Sequence, residues 1–381
     1  MNDPYIAPNF FFERVLTKIS NLDVAGYVFS SFPTLEGIGA VERLAFAPED
    51  LLIALERLVI DKYGAKGKRD LYGIGKRSGY NFMDVLGLAK NEPSYLIDLI
   101  SRFLSTTYGM ISVEKIDVAG RMYALHTKNL VITAKSGGGG YILTVGGAAG
   151  IWAYLLSDYS VECCASSIGD AEYRLVCAEP ERLRQMGIGE VIEASDNGEY
   201  GIEIDKRRYA AFNTPEKALS QPPPAFTVNI KKLMEAGILR YSNGMMFLGV
   251  SQARLFTVEI SLFYEIERYI DGELVYNAAY STFCELGRLM RMGMEWHIAI
   301  AQLLTSFGMG LVTPIRTGDR MQFAFRGYPW LSDASAKSSF AIMKGAICGF
   351  GFGSTERAIE VLNSACSAVN NVFVITIETS L

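Results

Sequence analysis

The chain has 381 residues, half of them hydrophobic and a fifth charged. That length suggests two structural units, and the composition excludes a disordered protein. The net charge of −5 hides no basic lobe, because from Ala225 onward 13 Lys and Arg face 13 Asp and Glu; a broad nucleic-acid footprint is therefore excluded.

The N-terminal stretch has neither a basic n-region nor an apolar h-region, so the expected location is the cytoplasm. Residues 48–61 open on a proline and two acids and carry apolar residues at helical spacing, which predicts a helix. Next come Lys62, Lys66, Lys68, Arg69, Lys76 and Arg77, a basic cluster read as a solvated turn and helix face, with an anion or acidic partner as the alternative. The glycines at 73, 75 and 79 do not make a phosphate loop. Asp70 stands where the first glycine of G-x-x-x-x-G-K-[ST] belongs, and Arg77 replaces the hydroxyl.

Residues 95–107 predict an amphipathic helix and residues 120–133 a strand. The uncharged run 136–157 is long enough to cross a bilayer, but it opens on glycines and is broken by Gly146, Gly147 and Gly150. The similar run 298–315 contains Gln302, Thr305, Ser306 and Thr313. Neither has flanking Lys/Arg asymmetry, so a buried strand and a packed helix, in one order or the other, are expected instead of a span. Gly137–Gly140 lacks dinucleotide-fingerprint spacing and reads as a hairpin loop. Six cysteines without a C-x-x-C read as buried thiols.

Shifting the chain by 199 residues aligns 108–150 with 307–349 without a gap, with 9 identities in 43 positions where composition alone gives about 3. Each copy reads as a helix, an aromatic-Gly-Met turn, an alternating strand, a small-residue loop and G-x-x-x-G. Gly146/Gly150 and Gly345/Gly349 are expected to mark a tight packing face. With one more residue of shift, the strand 173–177 meets 373–377; upstream, 70–80 corresponds loosely to 274–283. Residues 293–306 and 320–331 repeat the helix and the strand. Between the copies, Pro222, Pro223 and Pro224 suit neither helix nor strand. The reading is α+β, with a first domain at 1–220 including an N-terminal extension, a linker at 221–225, and a second domain at 226–381.

This order, followed by Val161-Glu162 and Gly169-Asp170, resembles the 4-vinyl reductase domain. That domain belongs to the ligand-binding superfamily that also holds haem-NO sensor domains and TRAPP tethering subunits. The resemblance rests on 146–154, Val161-Glu162 and Gly169-Asp170 in the first copy, and on 345–352 and 358–377 in the second. It implies two tandem units, each an antiparallel sheet packed against a helix bundle. Many such domains hold zinc through Glu-x-x-Cys, Gly-Asp and a further Cys. Here Glu162 remains, but Ala165 and Tyr173 stand where cysteines belong, and Leu362, Ala365 and Phe373 occupy the second set. The resemblance thus implies metal-free copies with Glu162 as a vestige, because zinc needs its thiolate or imidazole ligands. A rearranged site on Cys163, Cys164 and Cys177 is the alternative.

No Ser-His-Asp set can be assembled, and the only histidines, His126 and His297, fall at non-equivalent positions of the repeat. These absences point away from catalysis, with no catalytic residue and no cofactor expected. The leading expectation is a non-catalytic protein that binds a small hydrophobic ligand or serves as an adaptor. In the superfamily an apolar space between helices and sheet is the usual site, and Tyr72, Phe103, Tyr108, Trp152, Trp296 and Phe307 are the aromatics expected near it. An enzyme subunit handling a tetrapyrrole is one alternative. An assembly subunit or homo-oligomer meeting partners through apolar faces is the other.

Overall fold

A computed structural model describes residues 20–21, 24–34, 37–85, 92–105, 107–131, 142–194, 228–242, 245–249, 253–290, 295–329, 339–369 and 372–380. The first half runs β1 (Ser20–Asn21), β2 (Val28–Thr34), β3 (Gly37–Pro48), α1 (Glu49–Val85), α2 (Pro93–Leu104), β4 (Met110–Asp117), β5 (Met122–Lys128), α3 (Ile142–Leu156), β6 (Glu162–Gly169), β7 (Glu172–Ala178) and α4 (Pro180–Met186). The second runs α5 (Ile230–Glu235), β8 (Leu239–Ser242), β9 (Met245–Leu248), β10 (Ala253–Glu259), α6 (Ile260–Tyr269), α7 (Gly272–Leu289), α8 (Trp296–Ser306), β11 (Leu311–Thr317), β12 (Arg320–Arg326), α9 (Ala341–Thr355), β13 (Val361–Val369) and β14 (Val372–Ser380). The architecture is α+β with antiparallel sheets. The succession helix–hairpin–helix–hairpin occurs twice, giving the sheets β4-β5-β7-β6 and β11-β12-β14-β13. The proline-rich segment 221–225 and the loop 137–140 lie outside the described residues.

The halves are joined through a third sheet of order β1-β2-β3-β10-β9-β8. Strands β3 and β10 pair antiparallel, with Phe46 opposite Thr257 and Leu44 opposite Glu259. Pro48 and Glu259 each directly precede a helix, so they are equivalent, and the Phe46–Thr257 pair sits on an approximate two-fold axis. Hydrogen bonds cross reciprocally. Phe46 N–H donates to the Phe307 carbonyl (2.8 Å), and Thr257 N–H donates to Thr107 Oγ1 (3.2 Å). Arg43, buried in β3, donates to the carbonyls of Gly26, Gly308 and Gly327 and lies over the Tyr27 ring; burial pushes its guanidinium down to about 10. One apolar core runs through residues of both halves.

Glycines set the helix packing. A Cβ on Gly146 or Gly150 of α3 would overlap the carbonyl oxygens of Tyr72 or Lys76 in α1. On Gly345 or Gly349 of α9 it would overlap those of Tyr276 or Tyr280 in α7. Each glycine helix also receives a glutamate at its N-terminus. Leu143 N–H donates to Glu56 (2.7 Å), and Ile342 N–H donates to Glu267 (3.0 Å). These carboxylates satisfy donors that a helix start leaves open.

The gapless alignment therefore holds at the glycine helices, 199 residues apart, but not throughout. Ile111 N–H donates to Ser105 Oγ, and Val312 N–H to Thr305 Oγ1, so the residues of this turn are 200 and 201 apart. The next hairpin loop has four residues in the first half and two in the second, which takes the strand β5 and β12 register to 198.

Of the run 136–157 only 142–157 are described, and they hold α3 without the strand expected there, whereas 298–315 resolves into α8 followed by β11. Among the described residues no helix is long and apolar enough to cross a membrane. The basic cluster requires a correction. It lies wholly on α1, which kinks at Gly64, and Lys76 and Arg77 face inward with only 1% and 5% of their surface exposed. Lys62 pairs with Asp271, Lys66 with Asp70 and Lys68 with Glu190 at the surface. Lys76 and Arg77 tolerate burial because carboxylates 86 and 188 residues further along meet them.

Candidate functional site

A cavity of about 130 Å3 lies between α1, α2, α3 and the inner face of β4-β5-β7. Its walls are mainly apolar: Phe82, Ile97, Ile100 and Phe103 from the first two helices, Leu125 and Leu175 from the sheet, and Ala148 and Ile151 from α3. Gly75, Gly79 and Gly147 bring backbone to the wall; a Cβ on Gly75 or Gly79 would strike the Leu143 or Gly147 carbonyl, so these two let α1 and α3 approach, and only Gly147 leaves open space. The remaining wall comes from the other half, as Phe256, Thr257, Glu259 and Leu262 of β10 and α6. The site is thus completed by the joined sheet and not by one repeat alone.

Five of the lining positions carry larger side chains in the second half, although Phe82 and Phe103 correspond there to the smaller Leu286 and Leu303. Gly79 corresponds to Phe283, Ala148 to Ile347 and Ile151 to Phe350, following the glycine contacts. The hairpin register matches Leu125 with Phe323 and Thr127 with Phe325. All five replacements are buried. At these five positions the second half places buried side-chain volume where the first half lines its cavity. A larger hollow of about 500 Å3 over the start of α1 and the end of α7 mixes Asp50, Arg57 and Glu285 with Ile53, Leu286 and Leu289 and has no such apolar character.

The one acidic side chain lining the cavity, Glu259, comes from β10. Thr257 and Glu259 are two apart on the strand and share a face. Thr257 Oγ1 is 2.7 Å from Thr107 Oγ1. Glu259, 8% exposed, accepts from Ser261 N–H (3.0 Å), from the Ser261 hydroxyl, and from the Ser78 hydroxyl (3.2 Å). Burial pushes its carboxyl up to about 8, against the pull of these donors, and Glu265 nearby adds to the rise.

A second polar cluster lies on the other side of α1. Lys76 Nζ is 2.7 Å from Glu162 Oε1 and 4.4 Å over the Tyr159 ring. Tyr72 donates to Glu162 Oε2 (2.7 Å) and accepts from Cys163 N–H (2.9 Å). Burial raises the Glu162 carboxyl, and Lys76 and Tyr72 oppose that rise. Arg77 Nε binds Glu265 (2.8 Å) and lies over the Tyr269 ring, tying α1 to α6. A glutamate engaged by an ammonium and a phenol is a poor metal ligand. Cys163 faces the main core while Cys164 faces the smaller cluster under α4, and burial raises both thiols. Among the described residues no three His, Cys, Asp or Glu side chains are grouped to hold a metal ion, so this set does not fit zinc.

Of the six aromatics expected near a pocket, Phe103 and Tyr108 line the cavity, Tyr108 with its ring edge-on to Phe256. Tyr72 belongs to the Glu162 cluster. Trp152 is buried against Tyr123, its indole N–H donating to the Arg121 carbonyl. Trp296 packs on Phe323, and Phe307 is buried at the two-fold contact with β3, so neither reaches the first half's cavity. His126 lies beside Glu172, and His297 beside Glu295. Sequence reasoning missed Glu259. Its one signal is an acid ending strand β10, just before a helix.

No family model matches the chain, and no curated protein or solved structure matches it significantly.

Proposed function

We propose that the protein is a non-catalytic binder of a small apolar ligand, held in the cavity of its first half. The observation that carries this reading is the asymmetry between the halves. The second half holds the buried Phe283, Phe323, Ile347 and Phe350 at positions whose first-half equivalents line an apolar cavity of about 130 Å3, and a ligand would fill the space those side chains take. An apolar cavity of about 150 Å3 accommodates benzene, so the size suits one ring or a short branched chain and not a macrocycle. The resemblance to 4-vinyl reductase domains supports the same reading, with the halves as degenerate copies lacking the zinc site.

Titration of the purified protein with toluene, followed by NMR shifts of the cavity-lining methyls, tests it. Saturable shifts at Leu125, Ile151 and Leu175 are expected, and Ala148→Ile, which places the second half's residue in the void, is expected to remove them. Absence of any saturable shift, together with no apolar compound released by solvent extraction, would overturn the proposal.

A further inference from the structure

The part of the cavity around Glu259 has a chemistry of its own. Glu259 is not demanded by the fold, because its two-fold equivalent is Pro48, from which α1 starts without it. Nor does capping α6 require it. An N-cap needs only a short side-chain oxygen, as in Ser, Thr, Asp or Asn, whereas glutamate carries its carboxyl one carbon further, here to the cavity wall. Beside it stands Ser78, whose hydroxyl can rotate between donating and accepting.

We propose, building on the binding reading above, that the ligand is an apolar ring or short chain bearing one hydrogen-bond-donating head group, an amine or a hydroxyl, that docks on Glu259 and Ser78. The apolar body fills the space between α1, α2 and α3, and the head meets the wall contributed by β10. The ligand thereby bridges the two halves of the chain. A carboxylate head is rejected once Glu259 is ionised, above about pH 8, because it would place a second negative charge against it with Glu265 close behind. An ammonium and a hydroxyl share the donor chemistry but differ in charge, which separates them by experiment.

Four probes of one size decide the matter on the unaltered protein: toluene, benzyl alcohol, benzylamine and benzoate, titrated by calorimetry at pH 9, where the Glu259 carboxyl is ionised. Benzyl alcohol or benzylamine is expected to bind at least tenfold more tightly than toluene, and benzoate more weakly than all three. The preferred head identifies the donor. In Glu259→Gln the preference for benzylamine over toluene is expected to shrink at least fivefold while toluene binding persists, and Ser78→Ala offers a second variant if the first does not fold. Equal affinities for toluene and the headed probes, or benzoate binding as tightly as benzylamine, would overturn the head-group proposal and leave the cavity reading standing. Failure of all four probes, toluene included, would overturn the cavity reading itself.

Discussion

Neighbouring glycines of α3 are expected to respond to alanine with opposite signs. A Cβ on Gly147 would meet nothing closer than the Gly75 carbonyl oxygen at 3.8 Å, and it would point at the cavity. Replacing glycine by alanine inside a helix contributes about 1 kcal/mol, and a methyl moved out of water into an apolar void contributes up to about 0.8 kcal/mol. Gly147→Ala should therefore stabilise the protein by about 1–2 kcal/mol, and the second half already has Ala346 at that place. Gly150→Ala gains the same helix propensity, but its Cβ would overlap the Lys76 carbonyl and approach the Tyr80 nitrogen, both backbone atoms of α1. The two helices would have to separate, at a cost of about 3 kcal/mol or more. Urea unfolding of the two variants beside the parent protein measures both effects. A destabilised Gly147→Ala, or a Gly150→Ala of unchanged midpoint, would mean that the glycine face of α3 is assigned to the wrong side.

Stability should also depend on pH through Glu259. Its carboxyl moves from the ordinary 4.5 up to about 8, so between those values the folded chain holds a proton that the unfolded chain has released. Stability therefore falls as pH rises across that window, and Glu56, pushed up to about 7 by burial, acts in the same direction. Glu259→Gln should match the parent near pH 4 and exceed it above pH 8; a difference constant across a pH 4–9 unfolding series would contradict this. Breaking the buried Lys76–Glu162 pair with Lys76→Met should cost about 3–5 kcal/mol, because it strands a carboxylate beside Tyr72. Loss of less than 1 kcal/mol in thermal unfolding would show that the pair is not buried in solution. Leu125→Phe, a second-half residue placed in the first half's wall, should raise the melting temperature and remove toluene binding, and calorimetry with and without toluene reads both.

Local periodicity made much of the molecule legible. The helix 48–61, the helices and strands of both copies, and the packing role of glycines four apart follow from side-chain spacing, which acts over a few residues and needs no partner. The duplication was visible where helix contacts keep the register rigid, at Gly146/Gly345, and blurred where hairpin loops differ in length. The candidate site was legible only in part. Phe103 lies on the inward face of α2, which the pattern exposes, and Tyr108 on the repeated turn after it. Glu259 and the void depend on strands β3 and β10 meeting across 211 positions of chain, where the equivalents Pro48 and Glu259 share no identity.

By itself, then, the amino-acid order determined several of the helices and strands, that one succession of them recurs, and that only two histidines are present. Only the tertiary structure decided that Lys76 and Arg77 are buried and not solvated, because the cost of burying a charge is settled by a carboxylate brought from elsewhere in the chain. It also decided that small residues of the first half line a cavity where their second-half equivalents are larger and buried. A cavity is a difference between facing volumes, and no single segment holds both faces.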